Sequence, residues 1–206
     1  MIATVVPVKP AVGAKGRLAP VLTDAERTAL ARRLLARTVT VADGLGPVVV
    51  VSRSKRMRAL ARRAGATTLV EDGEDLDTAV AQGLARLAAD GWDRALVLPA
   101  DLPHLRLVDL HGLLAAARGA GDPDAVVVPC QREEGTNALL LRPPGVLAPA
   151  FGPGSFARHV DRARAAGLQV AVHRSPGFGD LDVPEDWADA PELHGPVRRA
   201  VRTATG

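Results

Sequence analysis

The stretch Arg94-Ala95-Leu96-Val97-Leu98-Pro99-Ala100-Asp101-Leu102-Pro103 decides the fold. It opens with an apolar run too short for a helix, stops at a proline, and leaves one carboxylate, Asp101, between two prolines that fix the chain. This is the pattern of a buried strand that ends in a loop able to do chemistry. Upstream the same grammar repeats. Leu76 to Ala89 predicts a helix, Thr67 to Val70 a short strand, and Lys55 to Ala64 a strongly basic helix. Pro47-Val48-Val49-Val50-Val51-Ser52 is a β-branched run bounded by turn formers, hence a central strand. Thr23-Asp24-Ala25-Glu26 has the form of a capping box, and Leu30, Leu34, Leu35 and Val39 recur near helical spacing, so a helix from about Asp24 to Asp43 follows. Ile2 to Val8 supplies the first strand. Strands alternating with helices over short connections predict an α/β fold of mostly parallel strands joined by crossover helices. Ligands in such sheets bind beyond the carboxyl ends of the strands.

Downstream the pattern changes. After a helix over Leu107 to Ala120, the runs Ala125 to Pro129 and Asn137 to Leu141 are linked only by the polar segment Gln131 to Thr136, a β-β step expected at an irregular sheet edge. Ser155 can cap a helix running to about Ala166, Gln169 to His173 makes another strand, and Pro184-Glu185-Asp186 opens a final short helix. From Gly195 onward, Arg198, Arg199, Arg202, Thr203 and Gly206 read as a frayed basic tail. The 206 residues thus divide into one domain over 1–194 and a tail over 195–206.

Composition narrows the function classes. Lys and Arg number 26 against 23 Asp and Glu, a net charge of +3 that suits an anionic substrate or solubility alone. With three Phe, two Trp and no Tyr, the interior must be built from Ala, Val and Leu, and stacking platforms for nucleic acid are scarce. Dispersed apolar residues among 24% charged ones fit neither disorder nor a membrane span. The single cysteine, Cys130, cannot form an internal disulfide, and the opening MIATVVPV lacks the form of a leader, so a cytoplasmic setting is expected, with no nucleic-acid or membrane partner.

Four segments could carry chemistry. A basic loop follows the first strand, with Lys9, Lys15 and Arg17 among Gly13 and Gly16; it suits phosphate oxygens, or is simply solvated, and it is neither a Walker loop nor a dinucleotide fingerprint. Asp101 suits Mg²⁺ shared with substrate phosphates, or an N-cap for the next helix. Asp180 and Asp182 fall on the same side of an extended stretch, where they face one cation or form an acidic turn. Lastly, Thr136 and the glycines before Ser155 suggest an anion site at a helix start, with a plain cap as the alternative. His159, one turn on, is read as structural.

In order and spacing, VPVKP, AKGRL, PADLP, GTNALLLRPP, FGPGSFARH and DLDVPEDW resemble the 2-phospholactate or phosphoenolpyruvate guanylyltransferases of deazaflavin coenzyme (F-420) biosynthesis. The resemblance implies a Rossmann-like nucleotidyltransferase fold of the GT-A and MobA-like kind, with a mixed, mostly parallel sheet flanked by helices. It implies transfer of GMP from GTP to the phosphate of phosphoenolpyruvate or 2-phospho-L-lactate, and a downstream transferase that takes the product. By the same resemblance, Asp101 with one or both of Asp180 and Asp182 holds Mg²⁺, while Lys9, Lys15 and Arg17 act with Asp101 in catalysis. Pro7, Lys9, Lys15, Asp77 and Asp101 contact the nucleotide, and Thr136, Gly152 and Ser155 seat the acceptor carboxylate. Two positions depart from the family pattern: Asp77 stands where Asn is expected, and Val183 where Thr is common. The carboxylate of Asp77 could read guanine N1–H and its amino group, or cap its own helix. The alternatives are a MobA-like or sugar-phosphate nucleotidyltransferase with another acceptor or base, and a nucleotide-binding module without turnover.

Overall fold

The computed structural model describes residues 1–11, 13–73 and 75–205. Seven strands form one sheet: β1 Ile2–Pro7, β2 Val48–Val51, β3 Thr67–Leu69, β4 Arg94–Val97, β5 Ala125–Pro129, β6 Thr136–Leu141 and β7 Val170–Val172. Their order is β3-β2-β1-β4-β6-β5-β7. β6 runs antiparallel to both β4 and β5, and all the other pairs are parallel. The β-β step anticipated after Pro129 is therefore real, and it lies inside the sheet, with β7 beyond it as the edge strand.

Among the described residues there are seven α-helices: α1 Asp24–Asp43, α2 Lys55–Arg63, α3 Leu76–Ala89, α4 Leu107–Gly119, α5 Ser155–Ala165, α6 Pro184–Ala188 and α7 Pro191–Thr205. The α1 start carries the expected capping box, with Thr23 and Glu26 exchanging bonds across the first turn. Successive valines of the central strands point to opposite faces, which is why these strands read as continuous apolar runs. Val6, Val50 and Leu96 pack with Leu35 and Val39 of α1 and Leu110 and Leu113 of α4. Val5, Val49 and Val97 pack on the other face with Val80 and Leu84 of α3 and Val160 of α5. Gly83 lets α3 close onto the sheet, since a Cβ there would stand 2.4 Å from Val5 Cγ1.

Two readings need correction. Residues 195–205 are helical, not a frayed tail; Gly206 lies outside the described residues. Gly195-Pro196 looks like a breaker, yet Leu193 and Val197, one turn apart, are only 4% and 1% exposed against α1 and α6, and that burial outweighs the proline's local cost. Ser155 is the first residue of α5, not its cap; the cap position belongs to Gly154 in the left-handed region (φ +73°).

Candidate active site

Sheet topology gathers the chemistry on one edge. The carboxyl ends of β1, β2 and β4 and the amino end of the reversed β6 all face the same way. Loops after β1 and β4, at the point where connections diverge to either side of β1, carry Lys9 to Arg17 and Asp101. Residues far apart in sequence thus meet for a topological reason.

Lys15 lies at the centre of the charged half. Its ammonium donates to Asp101 Oδ2 at 2.8 Å and stands 3.9 Å from Asp182 Oδ1. Arg17 Nη1 holds the other oxygen, Asp182 Oδ2, at 2.8 Å. The Lys15 side chain is 10% exposed, while Asp101 and Asp182 remain about one-third open to solvent. To reach this position Lys15 adopts φ +55°, an uncommon left-handed backbone for a non-glycine residue. Asp180 faces elsewhere: Asn137 Nδ2 donates to its Oδ1 at 3.0 Å and to the Phe178 carbonyl at 2.8 Å. The backbone N–H groups of Asp182 and Val183 donate to Asp186 Oδ2, which fixes the turn that presents Asp182. Lys9 and Pro7 lie on the same edge, Lys9 exposed and Pro7 buried at the end of β1.

A third apolar cluster holds these loops. Leu18, next to Arg17, and Leu181, between Asp180 and Asp182, are both fully buried with Trp187, Leu193 and Val197. In addition Leu181 N–H donates to the Asp101 carbonyl at 3.0 Å. The helical C-terminal segment is thus part of what positions the charged side chains.

The second half of the edge is organised around His159, which is fully buried. Ala150 N–H donates to its Nε2 at 2.9 Å, so that nitrogen is unprotonated and Nδ1–H donates to Thr136 Oγ1, also at 2.9 Å. Burial, reinforced by Arg162 and Arg158 nearby, pushes the imidazole down to about 4, so it is neutral at pH 7. Thr136 itself is 5% exposed and already bonded to the histidine, which leaves its own hydroxyl hydrogen to donate elsewhere. Arg158, a residue the sequence reading passed over, folds back on the loop before its helix: its guanidinium donates to the carbonyls of Ala150 (2.9 Å), Phe151 (3.0 Å) and Pro153. Gly152 (φ +100°) and Gly154 follow the sharp path this requires. Ser155 is buried at the head of α5, where its N–H donates to the Gly152 carbonyl. Asp77 Oδ1 accepts the Phe151 N–H at 2.7 Å. It does not cap α3; Asp75 does, accepting from the Thr78 N–H.

The family model described as "Guanylyl transferase CofC like" matches residues 2–200. The chain belongs to this family. A phosphoenolpyruvate guanylyltransferase of Rubrobacter xylanophilus is 44% identical over 187 residues, 89% of this chain and 90% of that one. A 2-phospho-L-lactate guanylyltransferase of Methanothermobacter thermautotrophicus is 34% identical over 194 residues, covering 93% and 84%. Among solved structures, 4-diphosphocytidyl-2C-methyl-D-erythritol synthase of Anaerococcus prevotii superposes with a TM-score of 0.64 at 10% identity, covering 94% of this chain and 95% of that one. That likeness establishes the nucleotidyltransferase-type fold, and the mixed, mostly parallel sheet agrees with it.

In this member of the CofC-like family, the structure brings Lys15, Arg17, Asp101 and Asp182 into one cluster, while Asp180 turns away to Asn137. Thr136, Gly152 and Ser155 converge on a second cluster through His159 and the α5 entry. Among the described residues, no three His, Cys, Asp or Glu side chains group closely enough to hold a metal by themselves. Asp101 and Asp182 still converge on one cation, the Lys15 ammonium, and offer only oxygen donors, the set a hard dication takes. Asn137 and Arg158, whose side chains hold the Asp180 turn and the loop before α5, were not singled out in sequence. For Asn137 the signal was present, a polar side chain at a buried strand start; for Arg158 none was, because its carbonyl partners belong to a loop whose path local sequence does not specify. A cavity of about 1510 Å³ along α1, lined in part by Arg32, Arg33 and Arg37, contains none of the Lys15, Asp101 or Asp182 group.

Proposed function

We propose that this chain transfers GMP from GTP to the phosphate of a small phosphorylated carboxylic acid, with release of diphosphate. Phosphoenolpyruvate is the first candidate acceptor, after the 44% identical relative, and 2-phospho-L-lactate the second. The observation that carries this reading is the convergence of Asp101 and Asp182 on the Lys15 ammonium, a cation position ringed by carboxylates on the ligand-binding edge.

An oxygen of the acceptor phosphate forms the new bond to the α-phosphorus of GTP. The bond from that phosphorus to the bridging oxygen breaks, and diphosphate leaves with the electron pair. The attacking oxygen is already ionised at neutral pH, so no residue needs to act as a base, and the work is alignment and charge neutralisation. Asp101 and Asp182 would hold Mg²⁺, with Asp180 adjoining; when bound, the ion neutralises triphosphate charge. Lys15 and Arg17, now on carboxylates, are the cations that exchange onto phosphate oxygens, with Lys9 on the same edge. Pro7 ends β1 beneath the nucleotide. Thr136, Gly152 and Ser155 present a hydroxyl and the head of α5 to the acceptor anion. A single domain that includes α7, a cytoplasmic setting and a downstream transferase for the product complete the proposal. Among the described residues, no helix is long and apolar enough to cross a membrane.

The test is diphosphate release with GTP and Mg²⁺, offering phosphoenolpyruvate, 2-phospho-L-lactate and 3-phospho-D-glycerate in parallel, with ATP and CTP as controls. Release with GTP and phosphoenolpyruvate is the expected result. Equal release with ATP, or none with any of the three acids, would overturn it.

A further inference from the structure

We propose that Asp77 is a positioning residue for the acceptor loop, acting through the backbone of Phe151 and not through the guanine base. This rests on the reading of Gly152 to Ser155 as the acceptor subsite. Both readings weighed from sequence, a base reader or a helix cap, use the carboxylate differently from the structure.

The dipeptide Ala150-Phe151 has two backbone donors and two acceptors, and side chains satisfy all four. His159 Nε2 accepts the Ala150 N–H, Arg158 donates to both carbonyls, and Asp77 Oδ1 accepts the Phe151 N–H. Three of these four bonds come from α5 itself, so they move with the loop's own helix. Only the Asp77 bond reaches across to another element, α3, and α3 is held hard against the sheet at Gly83. Immediately after Phe151 the chain turns through Gly152 at φ +100°, and the Gly152 carbonyl receives the Ser155 N–H. Freedom at Phe151 therefore becomes freedom in the direction of Gly152 and the head of α5. An acceptor held by that backbone needs it fixed before binding, because ordering it afterwards would draw on binding free energy.

The chemistry of the side chain separates this role from base reading. One accepting oxygen holds the Phe151 N–H; Asp supplies it, and Asn supplies the same acceptor without the charge. Guanine N1–H and its amino group together need two acceptors, which a carboxylate has and an amide lacks. Asp77→Ala, Asp77→Asn and Ser155→Ala would be compared by initial rates, varying GTP and phosphoenolpyruvate separately, with ATP as competitor. Asp77→Ala is expected to raise the acceptor KM about tenfold or more, as loss of a charge-assisted bond does. GTP KM and the preference over ATP stay put, and Asp77→Asn restores most of the loss. In hydrogen exchange, the Phe151 amide should open about tenfold faster in Asp77→Ala than in wild type or Asp77→Asn, a readout independent of turnover. A fall in GTP selectivity in Asp77→Asn with an unchanged acceptor KM would make Asp77 a base reader and overturn the proposal. If Ser155→Ala raises the acceptor KM and Asp77→Ala does not, this inference alone fails. If neither does, the acceptor subsite falls with it. Should Asp77→Ala not fold, Asp77→Ser with the same exchange measurement decides: an unchanged Phe151 amide rejects the proposal.

Discussion

Around Lys15 the ligand-binding edge is held by side chains of opposite charge, partly open to water, whereas around Phe151 it is held by side chains on backbone groups, with a neutral buried histidine at the centre. The two arrangements suit different tasks. Ion pairs near solvent cost little to exchange, so under the proposed function Lys15 and Arg17 leave Asp101 and Asp182 for the triphosphate. Bonds to a loop's own carbonyls and amides cannot be traded for ligand contacts without changing the loop's path. The charged half is therefore built to rearrange, and the neutral half to keep one shape.

The sharpest way to break the comparison is Asp101→Asn, which removes a charge from the exchanging half. Turnover is expected to fall by about a thousandfold or more, with circular dichroism and melting temperature little changed. Near-normal diphosphate release from a folded variant would take Asp101 out of the mechanism. Next in size is Trp187→Ala, in the cluster that holds Leu18 and Leu181. Truncating this residue, 5% exposed, should cost about 3–5 kcal/mol in denaturant titration. A loss below about 1 kcal/mol would show that the charged loops do not depend on this third core.

The neutral half has its own pH signature. Unfolded chain takes up a proton on His159 near its ordinary 6.5, and the fold, with the value pushed down to about 4, refuses it. The stabilisation is complete above about pH 6.5 and fades as pH falls toward 4, by about 3 kcal/mol for this group. Melting temperature against pH should show that slope in wild type and a flatter one in His159→Gln; identical slopes would mean His159 is not held neutral. The smallest effect belongs to Arg17→Ala. With a side chain 70% exposed, its pair with Asp182 should change stability by less than about 1 kcal/mol, while GTP KM rises. A large loss of stability, with GTP KM unchanged, would make Arg17 structural and blur the contrast.

Much of this was legible in sequence. The boundaries of α1 agree with its apolar spacing and capping box, those of α3 fall where expected although its cap is Asp75, and the β-branched runs mark the central strands. Lys15, Arg17, Asp101 and Asp182 were all singled out as charged residues in Gly- and Pro-bounded loops, with a solvated loop, a helix cap and an acidic turn as the alternatives. Two things were not legible. Helix α7 was hidden because Gly195-Pro196 breaks helices locally, while the burial that overrides it depends on α1 and α6. Asp77 was singled out in sequence as a base reader or a helix cap, but its partner, the Phe151 amide, is 74 residues away, and no local rule names it.

Sequence alone determined the alternation of elements, hence the sheet, and singled out most of the charged side chains at the carboxyl ends of its strands, since period, capping and turn chemistry are local properties of the chain. Tertiary structure decided which of those side chains meet: that Lys15 lies between Asp101 and Asp182, that Asp180 turns to Asn137, and that Asp77 grips the loop before Gly152. Those pairings are set by strand order and packing distance, and neither quantity is written in any one segment.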